Sequence, residues 1–196
     1  MRAVRVSLWV LVAFASAYAA WLFIPYILDD KSENAVRLIG GPYSMMNHNG
    51  EIVSEKTFSG KPVAMFFGFT YCPDICPTTL ARLTALMTKL GPDADKLQVI
   101  LVSVDPQRDT PDVLKSYLSA FDPRFVGLTG TPAQLEAFAK NYRFYYNKVS
   151  LEGADYTVDH SAGVYLFKAS GEFQGTFDAH EADEVALEKL RMAIRG

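Results

Sequence analysis

Cysteine is nearly absent from this 196-residue chain: there are two, Cys72 and Cys76. Such scarcity excludes a disulfide-knit miniature scaffold. The stretch beyond Leu28, roughly 160 residues, is long enough to bury about two-thirds of its unfolded surface and needs no such staples. Basic residues never cluster. Of 19 Lys and Arg, 17 lie beyond Leu28 together with all 22 Asp and Glu, which leaves that part acidic by five charges. Without a basic stripe the electrostatic footprint of a nucleic-acid binder is missing. Histidine is rare too, with His48, His160 and His180 the whole supply. No internal repeat or low-complexity tract is present, so a solenoid is excluded.

Charge is also missing from Val6 to Leu28, a run of 23 residues that follows Arg2 and Arg5. At about 1.5 Å per residue this length crosses a hydrocarbon core of about 30 Å. The arginines hold the short N-terminus in the cytoplasm and send the rest across the membrane. Ala15-Ser16-Ala17 and Ala17-Tyr18-Ala19 resemble signal-peptide cleavage sites, but the run outlasts an ordinary signal core, so an uncleaved anchor is expected. The organisation read from this is an anchor over 1–28, a polar linker over 29–41 and one domain over 42–196.

Within that domain, Asn49-Gly50 predicts a hairpin turn joining Tyr43–His48 to Ile52–Thr57. Val63–Phe69 and Val99–Val104 are unbroken apolar runs of strand length, as in central strands covered on both faces. Pro77 suits the first turn of a helix whose inward face is Leu80, Leu83, Leu86, Met87 and Leu90. Thr110-Pro111 opens a second helix, with Val113, Leu114, Tyr117, Leu118 and Phe121 expected inward. Phe125–Leu128 reads as a short strand, and Thr131-Pro132-Ala133-Gln134 as a capping box opening a third helix. Asn147–Thr157 reads as irregular. Val164–Phe167 and Phe173–Phe177 form an antiparallel pair before a last helix over Glu181–Ile194. Strand and helix alternate, then a hairpin and a helix follow. The fold class expected is therefore α/β, a three-layer sandwich with a central mixed sheet. A cysteine pair after the first central strand of such a fold is similar to a thioredoxin-like domain.

Cys72 and Cys76 stand at that strand-to-helix corner, where helix N-terminal N–H groups favour thiolate. Pro73 and Pro77 disfavour helical geometry at the residues before them, which places both sulfurs on a tight turn at the helix mouth. Of the histidines, His48 in a hairpin strand and His180 before the last helix read as ordinary side chains. His160, in Val158-Asp159-His160-Ser161, precedes an apolar strand and lies at the functional edge of an open sheet. Two thiolates and an imidazole make a soft donor set that suits Cu(I), with the imidazole also accepting Cu(II) or zinc. Structural zinc fills four protein positions, and no fourth Cys or His is evident, so copper fits better. Cysteines four apart can also close to a disulfide, which would remove the thiolate ligands.

Three motifs carry a resemblance: Gly68-Phe69-Thr70-Tyr71-Cys72-Pro73-Asp74-Ile75-Cys76-Pro77, then Ser103-Val104-Asp105-Pro106-Gln107-Arg108-Asp109-Thr110-Pro111, then Asp159-His160-Ser161. With the anchor, in this order, the chain resembles the Sco/SenC copper-binding assembly factors of cytochrome c oxidase. The resemblance implies one copper ion on Cys72, Cys76 and His160, and a Cys72–Cys76 redox disulfide. It implies delivery to the dinuclear copper site of oxidase subunit II, with another copper chaperone or a thioredoxin-like reductant as further partners. It also implies a single-pass protein of the inner (cytoplasmic) membrane with its C-terminal domain in the periplasm. The rival reading is an enzyme, a thiol–disulfide oxidoreductase reducing the cysteines of that copper site. Against it stand the three-residue gap between the cysteines and the lack of any proline after Pro132, where thioredoxin relatives place one opposite their cysteines. The Asp105–Pro111 segment reads as a strand exit, turn and capped helix, with Arg108 pairing to Asp105 or Asp109.

Overall fold

The computed structural model describes residues 9, 14, 16–21, 39–151, 155–178 and 180–196. The chain divides into two units, Met1–Arg37 and Leu38–Gly196. Residues 9, 14 and 16–21 of the first are helical. Among the described residues no helix is long and apolar enough to cross a membrane, and most of the expected anchor at 6–28 lies outside them.

The second unit opens with β1 (Met45–Asn47) and β2 (Ile52–Val53), paired antiparallel around the expected Asn49-Gly50 turn. Gly50 sits at φ +83, a conformation that costs a residue without Cβ nothing. The hairpin is shorter than the sequence predicts. Ser54 leaves the ladder and caps a 3-10 helix, Glu55–Phe58, by accepting a hydrogen bond from the Lys56 N–H while its own N–H donates to Thr57 Oγ1. Short hydroxyl side chains offer the backbone this local alternative to a strand. His48 accordingly lies in the turn, not in a strand, and its Nδ1 accepts from the Gly127 N–H at 3.0 Å.

Next come β3 (Val63–Gly68), α1 (Ile75–Leu90), β4 (Gln98–Ser103), α2 (Pro111–Leu118), β5 (Val126–Thr129) and α3 (Pro132–Tyr142). Then follow β6 (Tyr146–Ser150), β7 (Tyr156–His160), β8 (Val164–Phe167), β9 (Phe173–Phe177) and α4 (Asp183–Arg195). Seven strands form one mixed sheet in the order β2-β1-β5-β4-β3-β8-β9. β3, β4 and β5 run parallel in its centre, and antiparallel strands flank them on both sides. All six residues of β3 are buried because helices cover both faces of the central strand. Phe66 and Gly68 face α1, where Gly68 leaves room for the Cys76 sulfur. Phe67 faces α3, its ring 6.4 Å from Phe138 and stacked at 4.0 Å on Phe144. Gly127 of β5 lets α2 approach closely, since a Cβ there would lie 2.9 Å from Leu118 Cδ1. α4 is tied to α1 by Asp183, which accepts from Arg82 at 2.9 Å and Lys89 at 2.7 Å. The three-layer mixed α/β architecture is thus as the sequence predicts.

The helix starts agree with the sequence. Thr110 caps α2 with Pro111 at its first position, and Thr131 and Gln134 make both halves of the capping box on α3. Val113 does not point inward. It is 36% exposed, because it stands about 100° around the helix from Leu114, and Leu114 and Leu118 form the buried stripe. The larger correction concerns Asn147–Thr157. Its described residues at 147–150 and 156–157 are strand: β6 and β7 pair antiparallel, from Tyr146 opposite His160 to Ser150 opposite Tyr156, as a separate two-stranded sheet. Only Val158 is fully buried, so the hydrophobic alternation is faint. The period is nevertheless two, and Tyr156, Val158 and His160 share one face.

Candidate metal centre

β3 ends at Gly68, and the chain turns through residues 69–72, closed by the Cys72 N–H donating to the Phe69 carbonyl at 3.2 Å. Cys72 emerges half-buried from this turn, while Cys76 sits in the first turn of α1 with no exposure at all. The expectation that both sulfurs lie outside the helix holds for Cys72 and fails for Cys76. Pro77 is itself in the first turn, where its missing N–H has no helical acceptor to lose, so the pre-proline preference at Cys76 yields to burial of its sulfur. A Cβ on Gly68 would come within 2.9 Å of both the Cys76 Sγ and Phe66 Cε1. The glycine is therefore the floor of the sulfur's pocket.

His160 closes β7, four residues after Tyr156. Its Nδ1 lies 3.0 Å from the Ser161 carbonyl oxygen, which can only accept, so the proton is on Nδ1 and the lone pair is on Nε2. That Nε2 lies 3.7 Å from Cys76 Sγ. Phe69 and Phe66 wall the imidazole edge-on, their centroids 5.8 and 6.3 Å from it. The two sulfurs and the nitrogen all lie within 4.8 Å of one another, the one such group of potential metal-binding side chains among the described residues. Three donors bonded to one ion at about 2.3 Å in trigonal geometry are about 4.0 Å apart. The present spread therefore needs up to about 0.8 Å of contraction. Neither His48 nor His180 joins the group.

The two cysteines differ in burial. Burial pushes the Cys76 thiol well above its ordinary range, and a backbone hydrogen bond from Phe69 opposes this only in part. The helix N-terminus does not compensate for the desolvation that the sequence could not show.

The segment after β4 holds the turn in place. Asp109, fully buried, accepts from Thr70 Oγ1 at 2.6 Å, from the Thr70 N–H at 3.2 Å and from Ser103 Oγ at 2.6 Å. Burial raises its carboxyl above the usual range, against the lowering from the Ser103 and Thr70 hydrogen bonds. Arg108 pairs with Asp105, one of the two partners open to it from sequence. The bonds from Asp109 to the Thr70 turn, the contact of Arg108 with Tyr156 and the Phe66–Phe69 wall were not identified from sequence. Their spacing carries no short-range signal, since Thr70 and Asp109 are 39 residues apart.

A model of the SCO1/SenC family matches residues 31–195. The mitochondrial protein SCO2 of Saccharomyces cerevisiae is 41% identical over 160 residues, covering 80% of this chain and 53% of its own. The chain spans 53% and 41% of the length of two of the curated relatives it matches, from Saccharomyces cerevisiae and Arabidopsis thaliana. Among solved structures, Bradyrhizobium japonicum ScoI with copper bound superposes with a TM-score of 0.74 at 43% identity, over 79% of this chain and 99% of that one. BsSco, a member of the Sco family of cytochrome c oxidase assembly proteins in which a disulfide switch was identified, is 26% identical with a TM-score of 0.65, over 82% of this chain and 95% of its own.

Proposed function

The chain belongs to the SCO1/SenC family, and from that premise we propose that it is a membrane-anchored copper metallochaperone. It carries one copper ion on Cys72, Cys76 and His160 for assembly of the dinuclear copper site of cytochrome c oxidase subunit II. The observation that supports this best is the convergence of two sulfurs and an unprotonated imidazole nitrogen within 4.8 Å. Two thiolates select soft Cu(I), and the nitrogen adds a ligand that Cu(II) favours.

Loading releases a proton from each thiol, so copper takes the place of the proton on the buried Cys76 sulfur. Cys72 is the half-exposed sulfur, and transfer to an acceptor begins there because an incoming ligand can reach it first. The uncharged run at 6–28 tethers the domain, over 42–196, to the outer face of the inner membrane through the linker at 29–41. This keeps it beside a membrane-bound oxidase.

The unequal exposure of the cysteines favours a second activity on the same atoms, thiol–disulfide exchange. An accessible Cys72 attacks a disulfide in the oxidase copper site, and the sheltered Cys76 resolves the mixed disulfide. A thioredoxin-like reductant would then restore the dithiol, and a copper chaperone upstream would reload it.

The deciding experiment is anaerobic Cu(I) titration of the reduced full-length chain, followed by transfer to an apo oxidase copper-site domain. Stoichiometric transfer from wild type, lost in Cys72→Ser and Cys76→Ser, supports the chaperone. Reduction of that domain's disulfide without copper, in its place, supports the oxidoreductase. His160→Ala should change the Cu(II) spectrum more than Cu(I) affinity, and an unchanged Cu(II) spectrum would remove His160 from the ligand set.

A further inference from the structure

The β6–β7 hairpin carries His160, yet it hydrogen-bonds to no strand of the seven-stranded sheet. A lone two-stranded hairpin is marginal in water, so its position must come from side chains that dock it. Arg108, in the loop after β4, is where those contacts meet. Its Nε donates to Asp105, a carboxylate with no exposure. Its Nη1 donates to the Tyr156 carbonyl at 3.1 Å and to Asp155 Oδ1 at 3.3 Å. The guanidinium carbon lies 3.9 Å from the Tyr156 ring centroid, 4.8 Å from that of Tyr71 and 5.8 Å from that of Phe69. Tyr156 closes the circuit by donating its hydroxyl to Asp105 Oδ1 at 2.8 Å.

One side chain thus touches the neighbour of Cys72, the ring that walls His160 and the strand that ends in His160. We propose that Arg108 is the positioning residue for the nitrogen arm of the centre, docking the hairpin so that His160 meets the two sulfurs. Lysine cannot replace it. A single ammonium keeps the charge but lacks the planar fork that bonds Asp105 and Tyr156 while stacking on the rings. Thr70 and Asp109 hold the sulfur arm through side-chain bonds that Arg108 does not make, so the effect falls mainly on the imidazole.

The inference builds on the copper reading, and its test separates the two. Two variants of the full-length chain are compared with wild type: Arg108→Lys, and the pair Asp105→Asn with Arg108→Gln, which leaves no buried carboxylate unpaired. Amide exchange is measured in the reduced, metal-free protein. Thr157 and Asp159, whose N–H groups lie in the hydrogen-bonded pairs of the hairpin, should exchange about tenfold faster or more in both variants, with β3 and β4 amides protected as in wild type. On loading with the metal alone, Cu(II) should lose its nitrogen hyperfine signature or dissociate about tenfold faster, while Cu(I) affinity stays within about threefold. Hairpin exchange at the wild-type rate in Arg108→Lys would overturn the proposal. So would an intact Cu(II) nitrogen signature and dissociation rate in both variants. Failure of wild-type protein to bind copper would defeat the functional reading, while the exchange measurement would still decide the docking role.

Discussion

At the residue scale the centre depends on one absent side-chain atom. Gly68 is the last residue of β3, and a methyl there would meet both the Cys76 sulfur and the Phe66 ring at 2.9 Å. Gly68→Ala should therefore displace the sulfur, costing about 1–3 kcal/mol of stability through overpacking and about tenfold or more in Cu(I) affinity. Gly127→Ala is the control. It meets Leu118 at the same 2.9 Å but under α2, so it should lose similar stability with copper affinity unchanged. Urea melts paired with Cu(I) competition titrations test both. Equal loss of affinity in the two variants would show that the effect is general loosening and not displacement of the sulfur. The two cysteines and the histidine were legible in the sequence because rarity narrowed the field and the motifs supplied the order. The role of Gly68 was not, because a glycine at a strand end has many uses and only the packed neighbour identifies this one.

At the element scale, the segments recognised from sequence carry their own signals. β3 and β4 are unbroken apolar runs, and α2 and α3 announce their starts with a threonine cap and a proline. The β6–β7 hairpin escaped because apolar and polar residues do not separate cleanly by face, Lys148 and Ser150 sharing the face of Val158 and Val149 lying on the other, and residues 151–155 lack a tight-turn signature. The same weakness of local signal explains why its position depends on Arg108. A second joint is clearer in its pH behaviour. Asp122, just before β5, accepts two hydrogen bonds from the Arg124 guanidinium and one from the Arg124 N–H, and Arg124 Nη1 also reaches Asp95 beyond α1 at 2.6 Å. The Arg124 side chain holds the Asp122 carboxyl below the usual range. A depressed folded value adds stability above the unfolded value of about 3.9, and that stability is lost as pH falls through the folded value. Asp109 has the opposite sign: its raised value means that stability is lost as pH rises through it. Asp122→Asn should thus lower the urea midpoint at pH 7 and flatten its decline below about pH 4. A decline as steep as in wild type would assign the acid sensitivity to other carboxylates.

For the whole molecule, the question is whether the Cys72–Cys76 bridge is structural or a switch. The core runs the length of the sheet, with Phe66, Phe67, Leu83, Ile100, Leu101 and Phe138 all but inaccessible, and none of it requires a bond between the cysteines. Both sulfurs stand at one end of that core, on a turn and the first turn of α1. Closing so short a loop removes roughly 2 kcal/mol of chain entropy from the unfolded state at most. In a domain of this size that is about 4–8 °C in melting temperature as an upper bound. Oxidation should therefore leave the far-UV dichroism nearly unchanged and raise the melting temperature only within that range. Its consequence for the ligand set is far larger, because both thiolates vanish together and a lone imidazole remains. The oxidised protein should bind neither Cu(I) nor Cu(II) stoichiometrically until a dithiol reductant restores it. Calorimetric melts and copper titrations of the oxidised and reduced full-length chain read the two effects separately. Cooperative unfolding on reduction at room temperature would make the bridge structural. Stoichiometric copper binding by the fully oxidised form would show that these sulfurs are not the ligands, and the assignment of the centre would fall with it.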